Sequence, residues 1–333
     1  MFEFPAPNRP RLTLEPWSAD YGFAIDFDDD NDLESTPPDI DPFVETDDWS
    51  AGVAPSPLPL PEAVAFIDGV QRIEAWARVD DGEVLSDAAL ASVAAGVVLC
   101  SEGHAEISDH HKQRVLAVSG AVEADNFVVP SASMHMVFEV ECSVQPGRNA
   151  VTQAIAIRRR NLEQVLVQKT LQTCPLVFAD GRLDHAGPSR NRLVGIAKTL
   201  HQLYVTGPQR GLIARLRSGE RTPLFLIKDS WGERYSWFLR LPGTRVIHHS
   251  YAGIVRLETP ATSSTAPVDV ADMVSYNLPR FASRPEHDPR APQNLQPVGA
   301  LEKRLRHELG DSRYIRRLIE DALFDELREV AHV

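Results

Sequence analysis

Cysteine is scarce in this chain, and long apolar runs are missing altogether. Three cysteines, Cys100, Cys142 and Cys174, stand far apart among 333 residues, and none belongs to a Cys-x-x-Cys pair. An odd, scattered set excludes a disulfide framework and a cysteine-based zinc site, and reads as buried thiols in a reducing compartment. The histidines offer no zinc site either, because His110-His111 and His248-His249 are adjacent pairs that cannot share one helical face. No apolar stretch approaches the roughly 20 residues of a membrane span. The N-terminus lacks the basic-then-apolar layout of a signal peptide. A soluble cytoplasmic protein with no membrane partner is therefore expected. Positive charge is also short: 34 Lys and Arg face 47 Asp and Glu, for a net charge of −13. That balance argues against nonspecific binding of nucleic acid over the whole surface.

The charge is unevenly spread. Asp26 to Asp48 is dense in acid and contains Asp28-Asp29-Asp30. Basic residues gather at Arg158-Arg159-Arg160, then at Arg182, Arg190, Arg192 and Lys198, then at Arg290, Lys303, Arg304 and Arg306. An acidic protein can hold DNA in a locally basic channel, and the same clusters also read as ordinary solvated faces. Residues 1–58 are rich in Pro and acid and poor in periodicity, ending in the Pro-rich run 55–61. They read as an irregular arm, of which a flexible tail is the simpler account, although Trp17, Tyr21, Phe23 and Phe27 favour partial docking. Residues 59–333 are read as one domain.

That domain opens with strand-like segments at Ala63–Ile67, Ile73–Val79, Ala94–Cys100, Arg114–Val118 and Met134–Cys142, which predict an antiparallel meander. Helical spacing of apolar residues over 150–172 follows, then a strand at 176–179, an apolar run at Arg192–Ala197 and a short helix at Gly211–Arg217. Strands are expected at Pro223–Ile227, Trp237–Leu241 and Gly253–Leu257, a loop at Ala261–Ala266, and two helices near 298–309 and 312–330. The order fits an α/β fold with a mixed central sheet flanked by helices. It does not fit a TIM barrel, because strict β-α alternation is missing.

Two of these apolar runs end in the same dipeptide. Ala63-Val64-Ala65-Phe66-Ile67 leads into Asp68-Gly69, and Leu176-Val177-Phe178-Ala179 leads into Asp180-Gly181. A strand that ends in Asp-Gly leaves a carboxylate at the sheet edge, and two such strands side by side bring two carboxylates together. Glu163, on the intervening helix, is able to reach the same end. Three carboxylates around one point repel unless a cation joins them, and Mn²⁺ or Mg²⁺ takes oxygen ligands of this kind. Metal-dependent phosphodiester cleavage follows as a hypothesis. Glu74 is a weaker candidate ligand, because a strand break at Asp68-Gly69 would put it out of register. Lys198, after the run Val194-Gly195-Ile196-Ala197, is placed to hold a phosphate or leaving group. Each signal has a plainer account: Asp-Gly is a common hairpin turn, Glu163 suits a solvated helix face, and Lys198 suits a snorkelling surface lysine.

In their order, Phe66-Ile67-Asp68-Gly69, Arg160-Asn161-Leu162-Glu163, Leu176 to Leu183 and Val194 to Thr199 resemble the NurA nuclease family, from about residue 60 to the end of the chain. The resemblance implies a ribonuclease H-like, Piwi-related fold and a Mn²⁺- or Mg²⁺-dependent nuclease with 5′-to-3′ exonuclease and endonuclease activities on DNA. It implies a homodimer working with a hexameric HerA-type ATPase in DNA end processing and repair. Asp68, Glu163 and Asp180 would be metal ligands, with Lys198 beside the active site. The family's archaeal members carry a Tyr and a His near the C-terminus. Here Asn294 stands at the Tyr position and Glu302 near the His position, so Glu302 is a weak candidate metal ligand, and His287 and His307 are alternatives. Arg160, Arg182, Arg290 and Asn294 are the candidate DNA contacts. A non-catalytic module of the same fold, clamping DNA or anchoring the ATPase, and a phage-defence nuclease are the competing readings.

Overall fold

A computed structural model describes residues 37–80, 84–120, 124–130, 135–181, 183, 192–245, 247–262 and 265–331, with side chains through residue 325. The chain is mixed α/β and forms two compact units. One takes the described part of Met1–Pro61 with Gly181–Gln296, and the other takes Glu62–Asp180 with Pro297–Val333.

The second unit carries the acidic residues. Its strands are β2 (Ala63–Asp80), β3 (Leu85–Ser101), β4 (His104–Ser119), β5 (Phe127–Val129), β6 (Met136–Ser143) and β7 (Leu176–Asp180), and β1 (Asp39–Asp41) lies in the other unit. They form a sheet in the order β7-β2-β3-β4-β6-β5. The pairs β2–β3 and β3–β4 are antiparallel, as the meander reading expects, but β4–β6 and β2–β7 are parallel. The sheet is therefore mixed.

Alternation along the strands sends side chains to two faces. Ala89, Ala91, Val93, Val115 and Ala117 pack against Val151, Ala154 and Ile155 of helix α1 (Arg148–Thr170). On the opposite face Val70, Ala94 and Val98 meet Leu301, Leu305 and Leu309 of helix α4 (Gln296–Glu308) and the turn after it. Ala88, Leu90, Leu116, Val118 and Phe138 meet Ile315, Ile319 and Ala322 of α5 (Ser312–Ala331). The C-terminus of α4 is held by cations from the strands: Arg72 Nη1 donates to Gly310 O at 2.9 Å, and Arg114 Nη2 to Leu309 O at 2.8 Å.

The first unit has a fully antiparallel sheet of β1 (Asp39–Asp41), β9 (Phe225–Asp229), β10 (Gly232–Arg240), β11 (Ile254–Pro260) and β8 (Arg192–Ala197), in that order. Phe225 and Phe238 stack at 5.7 Å in a core shared with Leu212 and Ile213 of α2 (Gly207–Arg215). Helix α3 (Pro267–Asn277) meets Trp237, whose indole N–H donates to Ser275 Oγ at 3.0 Å.

Part of the expected flexible arm is ordered here. The β1 strand adds to the edge of β9, and Trp49 is buried in the core. Glu45 accepts both Arg221 Nη1, at 2.9 Å, and Nη2, at 2.8 Å, while Arg221 Nε donates to Asp272 Oδ1 at 2.8 Å. A buried guanidinium demands such partners. The acidic run through Asp28-Asp29-Asp30 and the aromatics Trp17 to Phe27 lie outside the described residues. Segment 267–277, which carried no helix expectation, is α3, opened by Pro267 at its first turn. Only Cys174 of the three thiols is buried; Cys100 is half-buried and Cys142 exposed.

Candidate active site

Asp68 and Asp180 lie on neighbouring parallel strands. The register pairs Ala65 with Val177, Phe66 with Phe178 and Ile67 with Ala179, so the next residue on each strand, Asp68 and Asp180, falls level with the other. The rings of Phe66 and Phe178 stack with centroids 4.9 Å apart and planes 16° from parallel, which puts both on one face. Two residues further on, each aspartate projects from that same face. Parallel neighbours lie roughly 4.8 Å apart.

The two Asp-Gly pairs are not alike. Asp180 ends β7, and Gly181 turns the chain with a φ of 86°. Asp68 does not end a strand: β2 runs unbroken from Ala63 to Asp80, and Gly69 stays in the ladder opposite Ala95. The expected break between 67 and 73 is absent because Gly69 serves for clearance. A Cβ there would sit 2.2 Å from Glu163 Oε1 and 3.1 Å from Ala94 O. The missing side chain admits the Glu163 carboxylate against the strand. Asp68 is 2% exposed, and its Oδ1 accepts the Gly69 N–H at 2.8 Å.

Alternation also explains how the trio is arranged. Val70 faces α4, and so does Asp68, which pairs with Gly96; a Cβ on Gly96 would meet Leu301 Cδ1 at 2.9 Å. Glu163 approaches from α1, on the other face, over Gly69. Arg159, one turn earlier on the same helix, holds the Glu163 carboxylate in an ion pair. Burial pushes the Glu163 pKa up to about 7, against the pull of Arg159 and Arg160, and the Asp180 carboxylate adds to the rise. Glu163 and Asp180 are thus within electrostatic reach of each other. Among the described residues no three His, Cys, Asp or Glu side chains are close enough together to hold a metal ion.

The donor set fits a hard divalent cation in kind: carboxylate oxygens without sulfur or imidazole. The electrostatic cost of charging Glu163 beside Asp180 is the kind a cation relieves. Asp68 and Asp180, on one face, are the pair that could hold Mn²⁺ or Mg²⁺, and Glu163 comes to β2 from the opposite face.

The remaining candidates fall in several places. Glu74, beside a bulge in β2, is buried in its own network, accepting from Arg72, Ser92 and Arg114. Glu302 lies buried on α4. Arg160 is half-buried next to Glu163. Arg182 lies outside the described residues. His287 and His307 sit in the loop before α4 and near its end.

In the first unit, Lys198 follows β8 and is 8% exposed, which replaces the reading of a snorkelling surface lysine. Its Nζ donates to Asn294 Oδ1 at 3.0 Å, and Asn294 Nδ2 donates to Asp288 Oδ2 at 2.7 Å. Asp288 Oδ1 accepts the Arg290 backbone N–H at 2.8 Å. Three sequence candidates, Lys198, Asn294 and Arg290, therefore belong to one connected network. Asn294 is fully buried, so it does not present its amide to a nucleic-acid backbone. Sequence reasoning read Gly69 as a strand-ending turn and Arg159 as part of a basic cluster, and gave Asp288 no role. Arg159 carried a signal in its i, i+4 spacing to Glu163.

No protein-family model and no curated protein sequence matches the chain. Among solved structures the chain is similar to nucleases. One is the NurA nuclease from Sulfolobus solfataricus, at 10% identity over 83% of this chain and 87% of that one, with a TM-score of 0.46. Another is the catalytic domain of human Endonuclease V, at 16% identity over 75% and 84%, with a TM-score of 0.34. A third is Ciona intestinalis Endonuclease V in complex with a 24mer DNA containing an inosine, at 12% identity over 74% and 86%, with a TM-score of 0.33. The family that the sequence motifs resemble is thus represented among these structures. Likeness of this degree transfers neither residues nor chemistry to this chain. No described helix is long and apolar enough to cross a membrane.

Proposed function

We propose that this chain is a divalent-metal-dependent DNA nuclease whose metal ligands are Asp68, Asp180 and Glu163. The observation that supports this reading is the pairing of Asp68 and Asp180, level and on one face of adjacent parallel strands, with Glu163 electrostatically coupled to Asp180. A bound Mn²⁺ or Mg²⁺ would supply Lewis acidity at a phosphate and a water made acidic enough to attack it. The chain's own residues bind and orient. Asp68 and Asp180 are held by the β2–β7 ladder, which sets their separation. Gly69 lets Glu163 in, and Arg159 pairs with that carboxylate. Lys198 belongs to this reading on the sequence resemblance alone, as a positive charge suited to a phosphate or leaving oxygen. Arg160, Arg182 and Arg290 are the phosphate contacts of this reading.

A ribonuclease H-like topology, 5′-to-3′ polarity, homodimerisation, a HerA-type ATPase partner and a weak ligand role for Glu302 belong to the same reading and rest on the sequence resemblance. So does the division into an arm, 1–58, and a nuclease domain, 59–333. The test is cleavage of linear DNA by the purified protein with Mn²⁺. Asp68→Ala and Asp180→Ala are each expected to abolish cleavage and to remove the Mn²⁺ binding heat in calorimetry. Cleavage that survives both substitutions refutes the assignment. No cleavage together with no Mn²⁺ heat that depends on Asp68 would point to the non-catalytic reading.

A further inference from the structure

Asn294 and Asp288 are buried polar residues that the metal reading does not use. Each is tied at both ends. Asn294 accepts from Lys198 Nζ through Oδ1 and donates to Asp288 Oδ2 through Nδ2. The reverse amide orientation would set an NH₂ against an ammonium and an oxygen against a carboxylate, so the two neighbours dictate one orientation. Asp288 is fixed in turn: its other oxygen takes the Arg290 N–H, and Asn294 N–H donates to Arg290 O at 3.1 Å. The neighbouring residue grips the same lysine by its backbone. Gln293 Nε2 donates to Lys198 O at 3.2 Å and to Ile254 O at 3.1 Å, joining the loop to the end of β8 and the start of β11. Gln293 and Asn294 are both fully buried. Side chains this sheltered hold a single geometry, and a buried lysine on a four-carbon stem gains most from such a hold.

We infer that Asp288 and Asn294 are positioning residues that fix the Lys198 ammonium through an Asp–Asn–Lys hydrogen-bond chain, with Gln293 anchoring the lysine backbone. The inference deepens the nuclease reading and, for its kinetic part, rests on it. It replaces the DNA-contact role of Asn294 with an indirect one. Both Asp288 oxygens are used as acceptors, so D288N must give up one bond. N294D sets two carboxylates against each other. The double variant D288N/N294D keeps every hydrogen bond of the chain, because the outer amide then donates to the inner carboxylate, which accepts from Lys198, and gives up only the Arg290–Asp288 ion pair at 3.8 Å.

Two readouts on the full chain test this. The first is modification of Lys198 by an amine-reactive acetylating reagent, followed by peptide mass spectrometry. N294A is expected to raise the rate severalfold, D288N to raise it less, and the double variant to return it close to wild type. The second is kcat and KM on linear DNA with Mn²⁺. Misplacing a catalytic group by about 1 Å costs on the order of a hundredfold. N294A is therefore expected to lower kcat by about that factor with KM nearly unchanged, and the double variant to recover most of what N294D loses. If wild type does not cleave DNA, the nuclease reading fails while the labelling pattern still decides the chain. Labelling of Lys198 unchanged in N294A and D288N, or a double variant no better than N294D in labelling, overturns the inference.

Discussion

Replacing Glu163 by Gln should stabilise the protein at alkaline pH and leave it unchanged in acid. The folded structure raises the Glu163 pKa from 4.5 to about 7, chiefly by burial. Between those two values the folded chain binds the proton that the unfolded chain has already released, so stability falls as pH rises through that window. Below it both states hold neutral acid, and the group contributes no pH-dependent cost. Above it the folded state carries a charge it disfavours, at a cost of about 3 kcal/mol for a shift of this size. The side chain is 12% exposed, so solvent screens little of this. The attraction of Arg159 is already contained in that net cost. Glutamine has nearly the same shape and cannot ionise.

Urea unfolding of wild type and Glu163→Gln, followed by circular dichroism in EDTA, should give matching stabilities near pH 4. A gap favouring the variant should open between pH 4.5 and 7 and level off near pH 8 at up to about 3 kcal/mol. Charges elsewhere are common to both proteins and cancel in the difference. A gap that is constant with pH, or that favours wild type at pH 8, would refute the account of Glu163 as a strained, buried carboxylate.

Gly69→Ala drives a methyl into Glu163 Oε1 and against Ala94 O; it should cost about 1–3 kcal/mol in unfolding experiments and weaken Mn²⁺ binding in calorimetry. The matching change at Gly181, Gly181→Ala, meets nothing within 4 Å but must hold a φ of 86°, so it should cost about 1 kcal/mol by backbone strain without a steric effect on Glu163. Arg159→Met frees Glu163 from its ion pair and should tighten Mn²⁺ binding, read as a lower dissociation constant. Glu45→Ala leaves Arg221 with one carboxylate fewer in a site where it is 1% exposed. Unfolding should become easier by about 3 kcal/mol or more, with the loss seen first as faster hydrogen exchange over Asp39–Trp49.

The chain's own pattern determined most of its elements. Apolar spacing marked α1, α4 and α5 because those helices bury one face against a sheet. The runs leading to Asp68 and Asp180 marked two buried strands, because strands covered on both faces carry few polar residues. What the pattern left undecided was the use made of Asp-Gly, since a glycine that turns the chain and a glycine that clears space are the same letter. Only the packing of α1 across β2 decides that Gly69 is clearance and Gly181 is a turn. For the same reason Asp68 projects from one face of β2 while Glu163 approaches the other. The side-chain period of a strand is two, so continuing through Asp68-Gly69 instead of stopping there changes which residues share a face. The Asp288–Asn294–Lys198 chain was equally hidden: its members are up to 96 residues apart, and nothing in local spacing brings them together. Local propensity and periodicity are properties of neighbours in sequence, whereas the partner of a buried polar group is chosen by whichever distant segment the fold lays against it.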